Sequence, residues 1–197
     1  MHHASTAQPS PLRKLFCLAL LTMTSTWGFA WADNARVNIT TDYGVIEIEL
    51  LEQLAPQTTR NFLELVDDEF YTGLVFHRVI ANFMIQGGGY TETMTYRPGP
   101  KTVPNESFNG VKNRRGTVAM ARLADPDSAD TQFFINVKDN PHLDAEGDRA
   151  GYTVFAKVVG GMDVVTKIEL VNTHLSHGMA AVPEDPVLIH HIQRQTP

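Results

Sequence analysis

One arginine, Arg78, sits among apolar side chains in the run Phe76-His77-Arg78-Val79-Ile80-Ala81-Asn82-Phe83-Met84-Ile85-Gln86-Gly87-Gly88-Gly89. A cation beside an apolar wall loses hydration, which is unfavourable unless the group is paired or used. A guanidinium is always charged and holds its N–H donors in a rigid plane. The chemistry open to it is a fixed hydrogen bond to an atom that gains electron density. On the residue pattern alone, Arg78 would be an ordinary surface arginine on a strand. His77 suggests acid–base work, but adjacent strand residues face opposite ways. Gly87-Gly88-Gly89 is not a phosphate loop, since no Lys-Ser or Lys-Thr follows; it reads as backbone freedom at a turn. His174 and His177 fall in a Ser/Gly-containing loop, and His190 and His191 alternate across a strand. Neither pair has ligand spacing or a cysteine nearby, so they read as solvated histidines and no metal is expected.

These residues need a frame. Val45 to Leu50 alternates, with Ile46, Ile48 and Leu50 on one face, as a half-buried strand does. Asp42-Tyr43-Gly44 turns it back onto a preceding strand, Val37 to Thr41. Pro56 suits a first helical position, and Phe62, Leu65, Val66 and Phe70 recur at helical spacing, predicting a helix over Pro56–Glu69. Further strands are predicted around Leu74–Val79, Phe83–Gly87, Val118–Ala121, Phe133–Val137 and Thr153–Val158. Gly160-Gly161 interrupts, Val164, Ile168 and Val171 mark a second helix, and Pro186 to Ile192 closes as a strand. About eight strands and two helices suit a closed antiparallel barrel, which leaves no exposed edge. The pattern alone leaves a sandwich open.

The chain has 197 residues and a formal charge of −6. Arg13 and Lys14, the apolar run Leu15 to Leu21, and Ala30-Trp31-Ala32 together read as a signal peptide over residues 1–32, cleaved after Ala32. A retained anchor is the alternative, but the apolar run is too short to span a bilayer comfortably. The mature domain, 33–197, then carries 14 basic against 22 acidic residues, a charge of −8. That balance argues against nucleic-acid binding, which needs clustered Lys and Arg. The single cysteine, Cys17, lies in the presumed signal, leaving a mature chain without a thiol, as suits an oxidising compartment.

Three stretches carry a family resemblance: Phe76 to Gly89, Gly116-Thr117-Val118-Ala119-Met120-Ala121-Arg122, and Ser128-Ala129-Asp130-Thr131-Gln132-Phe133-Phe134-Ile135-Asn136. Their order and spacing resemble the signatures of the cyclophilins, the peptidyl-prolyl cis-trans isomerases, over about Val37 to Ile192. The resemblance implies a mainly β fold, a closed eight-stranded antiparallel barrel capped by two α-helices. It implies that Arg78 is catalytic. It implies an apolar pocket for the proline ring from Phe83, Met84, Phe134 and Leu143, with Gln86 holding the substrate backbone or orienting the arginine. Ala121, Arg122 and Gln132 match positions along the groove for residues before proline. Three departures stand out. Arg122 replaces a frequent Asn. His142 replaces a Trp associated in eukaryotic members with tight cyclosporin binding. Tyr152 replaces a His in the pocket wall. The last two point toward the bacterial secreted branch.

The expected function is therefore isomerisation of X–Pro bonds in unfolded or flexible polypeptides, in the periplasm, by a monomer needing no cofactor. The rival is a peptide-binding holdase chaperone on the same fold, with catalysis incidental. A third reading, a structural partner in an envelope complex, would call for an extra interaction segment, and no such segment stands out in the sequence.

Overall fold

The computed structural model describes residues 1–3 and 34–195. Apart from residues 1–3, the expected signal peptide and its cleavage site lie outside the described residues. Among the described residues no helix is long and apolar enough to cross a membrane.

The first hairpin follows its alternation. Strands β1 (Arg36–Thr41) and β2 (Gly44–Leu50) pair antiparallel, with Ile46, Ile48 and Leu50 fully buried. Gly44 closes the turn at φ +128°, a conformation that disfavours any side chain. Helix α1 (Pro56–Asp67) begins with proline, but its N-cap, Ala55, offers no side-chain acceptor. Glu106 does this work from 48 residues away: its carboxylate accepts from the Thr58 N–H at 2.9 Å and the Gln57 N–H at 3.1 Å. A carboxylate there also complements the positive end of the helix dipole. The buried face of α1 delivers Phe62 to an aromatic centre with Tyr71, Phe133 and Phe155, ring centroids 5.1–5.8 Å away.

The remaining strands are β3 (Leu74–Val75), β4 (Arg78–Ile80), β5 (Met84–Gly87), β6 (Thr117–Met120), β7 (Phe133–Asn136), β8 (Val154–Gly160) and, after helix α2, β9 to β11. Helix α2 (Met162–Glu169) starts after Gly161, whose φ of +77° and close approach to the Val45 carbonyl require glycine. Strands β9 (Thr173–Ser176) and β10 (Met179–Pro183) form a separate hairpin, and β11 (Leu188–Arg194) returns to β1. The main sheet runs β3-β11-β1-β2-β8-β6-β7-β5-β4.

That is nine strands where eight were expected. The difference lies at Leu74–Val79, read as one strand. Its first half pairs with β11 and its second with β5. The two edges of the curled sheet are thus consecutive pieces of chain, separated only by Phe76 and His77, a reach of roughly 10 Å at most from Val75 to Arg78. A strand that changes partners must break where it does so. The β9–β10 hairpin also corrects the loop reading of this segment in part: His174 lies on β9, while His177 sits in the turn between β9 and β10, as expected. Thr173–Ser176 is exposed or half-exposed throughout, with too little apolar periodicity to announce a strand.

Candidate active site

Of the site residues, Arg78, Met84, Gln86 and Phe134 stand on strands, on the outward face of the sheet, and the rest lie in the adjoining turns and loops. Arg78 on β4 lies opposite Gln86 on β5, Gln86 opposite Phe134 on β7, and Phe134 opposite Ala119 on β6. The next row along the same strands is Val79, Ile85, Ile135 and Val118, each 2% exposed or less and part of the main core. Strand alternation sorts the two rows to opposite faces. The outward face contributes Met84, Ala119 and Phe134 to a second apolar cluster, completed by Leu143 and Val154.

Above that cluster opens a cleft of about 240 Å³. Arg78, Phe83, Met84, Gln86, Ala121, Arg122, Phe134, Leu143 and Tyr152 line it, nine of the eleven residues singled out from the sequence. No carboxylate is among them. Gln132 and His142 stand just behind. The Gln132 Oε1 accepts from Gln86 Nε2 at 3.0 Å, and Gln86 Oε1 accepts from Arg78 Nη1 at 3.3 Å. Nη1 also lies 3.9 Å from the Met84 sulfur. This amide relay fixes the guanidinium plane. Among the described residues Arg78 makes no ion pair, and its other N–H groups make no protein hydrogen bond. His142 is exposed and stacks on the Phe83 ring at 5.6 Å and 24°, bordering the cleft from outside.

The glycine run has a tighter role than a flexible turn. Gly88 sits at φ +85°, and a Cβ there would come within 2.9 Å of Tyr71. A Cβ on Gly89 would come within 2.5 Å of the Gln132 side chain. Bulk at Gly89 would displace Gln132, which anchors the relay, and bulk at Gly88 would press on Tyr71 and Phe133 of the core.

The walls are held by groups that the sequence reading did not single out. Asn136, fully buried at the end of β7, donates to Thr117 Oγ1 at 3.0 Å and Asn113 Oδ1 at 3.2 Å, and accepts from Asn140 Nδ2 at 2.7 Å. The Asn140 Nδ2 also donates to the Phe83 carbonyl at 2.9 Å. Asp144 accepts from the Asn113 backbone N–H at 2.7 Å. Three buried asparagines thereby tie the Phe83 turn to the 3₁₀ turn that carries Leu143. The one sequence signal was a polar residue closing the apolar run Phe133-Phe134-Ile135-Asn136. On the far wall, the Tyr152 N–H donates to the Leu143 carbonyl at 2.9 Å. Gly151 beside it packs so closely on Asp144 and Ala145 that no side chain fits.

His77 lies in the link between β3 and β4, 3% exposed, with its ring 4.6 Å from that of Tyr90. Burial pushes its pKa down to about 4, so it is neutral near pH 7. Its Nδ1 is buried without a hydrogen-bond partner. Among the described residues no three His, Cys, Asp or Glu side chains gather into a group able to hold a metal ion.

The arrangement presents a fixed cationic donor at the rim of an apolar cleft, without a nucleophile or a general base. Comparisons with known proteins agree with it. Residues 36–194 match the family model described as cyclophilin type peptidyl-prolyl cis-trans isomerase/CLD. The peptidyl-prolyl cis-trans isomerase of Acinetobacter baylyi is 50% identical over 161 residues, covering 81% of this chain and 85% of that protein. The peptidyl-prolyl cis-trans isomerase B of Escherichia coli is 47% identical over 156 residues, 78% of this chain and 95% of that protein. Among solved structures, a Cryptosporidium parvum cyclophilin type peptidyl-prolyl cis-trans isomerase, crystallised in the presence of the dipeptide Ala-Pro, superposes with a TM-score of 0.67 at 26% identity. That match covers 82% of this chain and 99% of the other.

Proposed function

The chain belongs to the cyclophilin-type peptidyl-prolyl cis-trans isomerases, and on that premise we propose which residues catalyse and where the enzyme works. The isomerase rotates X–Pro bonds of proline-containing polypeptides. The barrier is about 18–20 kcal/mol, because the amide C–N bond has partial double-bond character. No bond is made or broken, so a catalyst must only favour the twisted amide over both planar forms.

In the twisted state the proline nitrogen regains a lone pair and accepts a hydrogen bond. Arg78 donates it. The observation that carries this assignment is the relay Gln132–Gln86–Arg78, which holds one N–H of the guanidinium and leaves the others free at the cleft. Phe83, Met84, Phe134 and Leu143 take the proline ring, their flat or adaptable surfaces suiting a five-membered ring. Ala121, Arg122 and Gln132 flank the residues before it, and Tyr152 stands in the pocket wall. The reaction needs no metal or cofactor.

The substrates are unfolded or flexible polypeptides, and the site of action is the periplasm, reached as a monomer after removal of residues 1–32. The apolar run Leu15 to Leu21 and the Ala30-Trp31-Ala32 pattern support export. Intact mass of the protein from a periplasmic extract tests it: a mature chain starting at Asp33 is expected, and full-length protein confined to the cytoplasm contradicts it.

NMR exchange spectroscopy on a proline tetrapeptide tests the role of Arg78. Sub-stoichiometric protein is expected to accelerate cis–trans exchange, and Arg78→Lys to slow it by about tenfold or more, because an ammonium lacks the rigid fork. Peptide binding without accelerated exchange would favour the holdase reading.

A further inference from the structure

The arginine at position 122 has a second task that follows from where its guanidinium lies. It sits 4.8 Å over the ring centroid of Tyr152. Its Nε donates to the Gly151 carbonyl at 3.1 Å, Nη2 to the Ala150 carbonyl at 3.0 Å, and Nη1 to the Leu123 carbonyl at 2.9 Å. Tyr152 in turn meets Phe134 edge-on at 5.6 Å. Resting on the reading that Tyr152 walls the substrate groove, we propose that Arg122 is a positioning residue that locks this wall and thereby sets substrate affinity.

The geometry suits that task. A guanidinium over an aromatic face is attracted by the ring quadrupole, while its fork fixes two successive carbonyls just before the tyrosine. Ring and backbone are thus held by one side chain. The Tyr152 hydroxyl makes no protein hydrogen bond among the described residues, so it is the Arg122 stack, and not the phenol, that fixes the ring on its open side. A wall fixed before binding lowers the ordering entropy lost on association, so the effect falls on KM. Lysine cannot replace the arrangement, since its ammonium is a compact point charge that neither stacks as a plane nor presents a rigid fork.

A double-mutant cycle with Arg122 and Tyr152 tests this in the peptide exchange assay. Arg122→Ala is expected to raise KM about fivefold. In the Tyr152→Ala background the same change should move KM by less than about twofold. Arg122→Lys should resemble Arg122→Ala, and it carries the cycle if the alanine variant does not fold. In ¹H–¹⁵N spectra of the wild-type protein, the Arg122 Nε–H proton should be shifted upfield by the ring and should lose that shift in Tyr152→Leu. An equal effect of Arg122 in both backgrounds, rescue by lysine, or an unshifted Nε–H overturns the proposal. Failure of the site assignment itself would show separately, as wild-type turnover by Arg78→Ala.

Discussion

Two apolar regions of this molecule are made by the same strands and do different work. The inner core holds Val79, Ile85, Ile135 and Val118, packed around Phe62, Tyr71, Phe133 and Phe155. The outer cluster holds Met84, Ala119, Phe134, Leu143 and Val154 beneath the cleft. The inner one is a closed cluster of apolar side chains. The outer one is ringed by Arg78, Gln86 and Arg122, flanked by partly buried apolar side chains, and braced by buried amides. One pleat therefore supplies a framework on one face and a binding surface on the other, and a single-residue step along a strand crosses between them.

The comparison can be broken first at adjacent phenylalanines. Phe133→Ala, on the inner face, should lower stability by about 3–5 kcal/mol, read from denaturant unfolding. Phe134→Ala should lose less stability but more of kcat/KM. Equal stability losses with equal activity losses would erase the distinction. The link between β3 and β4, at His77, is tested by pH. Its folded pKa of about 4 lies below the usual 6.5, so the unfolded chain binds the extra proton first. The stability is fully present above about pH 6.5 and is lost as pH falls toward 4, by up to roughly 3 kcal/mol. Unfolding midpoints across that window should slope less in His77→Gln; an unchanged slope would contradict the burial argument.

The amide bracing of the outer region is tested by Asn136→Ala. It leaves Asn113 and Asn140 without their partner and should cost about 1–3 kcal/mol, with a fall in kcat/KM as the Phe83 turn loosens. Asn136→Ala with full activity would show that the bracing is unrelated to the cleft. The smallest expected effect lies at the rim. His142→Trp should strengthen cyclosporin inhibition by about fivefold with little change in turnover, since an indole offers a broader apolar face than imidazole. Titration of both proteins in one peptide assay reads the difference, and equal inhibition constants would contradict it.

Much of this was legible in the sequence where the signal was periodic or local. The alternation of Val45–Leu50 fixed β2, the spacing of Phe62, Leu65 and Val66 marked α1, and the run around Arg78 carried most of the cleft. What escaped was non-local or aperiodic. The break at Phe76–His77 arises because the first half of the segment pairs with the distant β11 and the second with the neighbouring β5. The capping of α1 by Glu106 and the asparagine network join residues tens of positions apart. Arg122 was assigned to the groove from its motif position, but its grip on Tyr152 depends on a loop whose path no pattern reveals.

The most direct test uses two neighbours on β4. Arg78 faces the cleft and Val79 the core. Stability and kcat/KM should be measured for Arg78→Ala and Val79→Ala side by side. The account predicts that Arg78→Ala lowers kcat/KM by about one order of magnitude or more with little change in stability, and that Val79→Ala loses roughly 1–3 kcal/mol of stability while its folded fraction retains near wild-type kcat/KM. A folded Arg78→Ala protein that turns over peptide at the wild-type rate would contradict it.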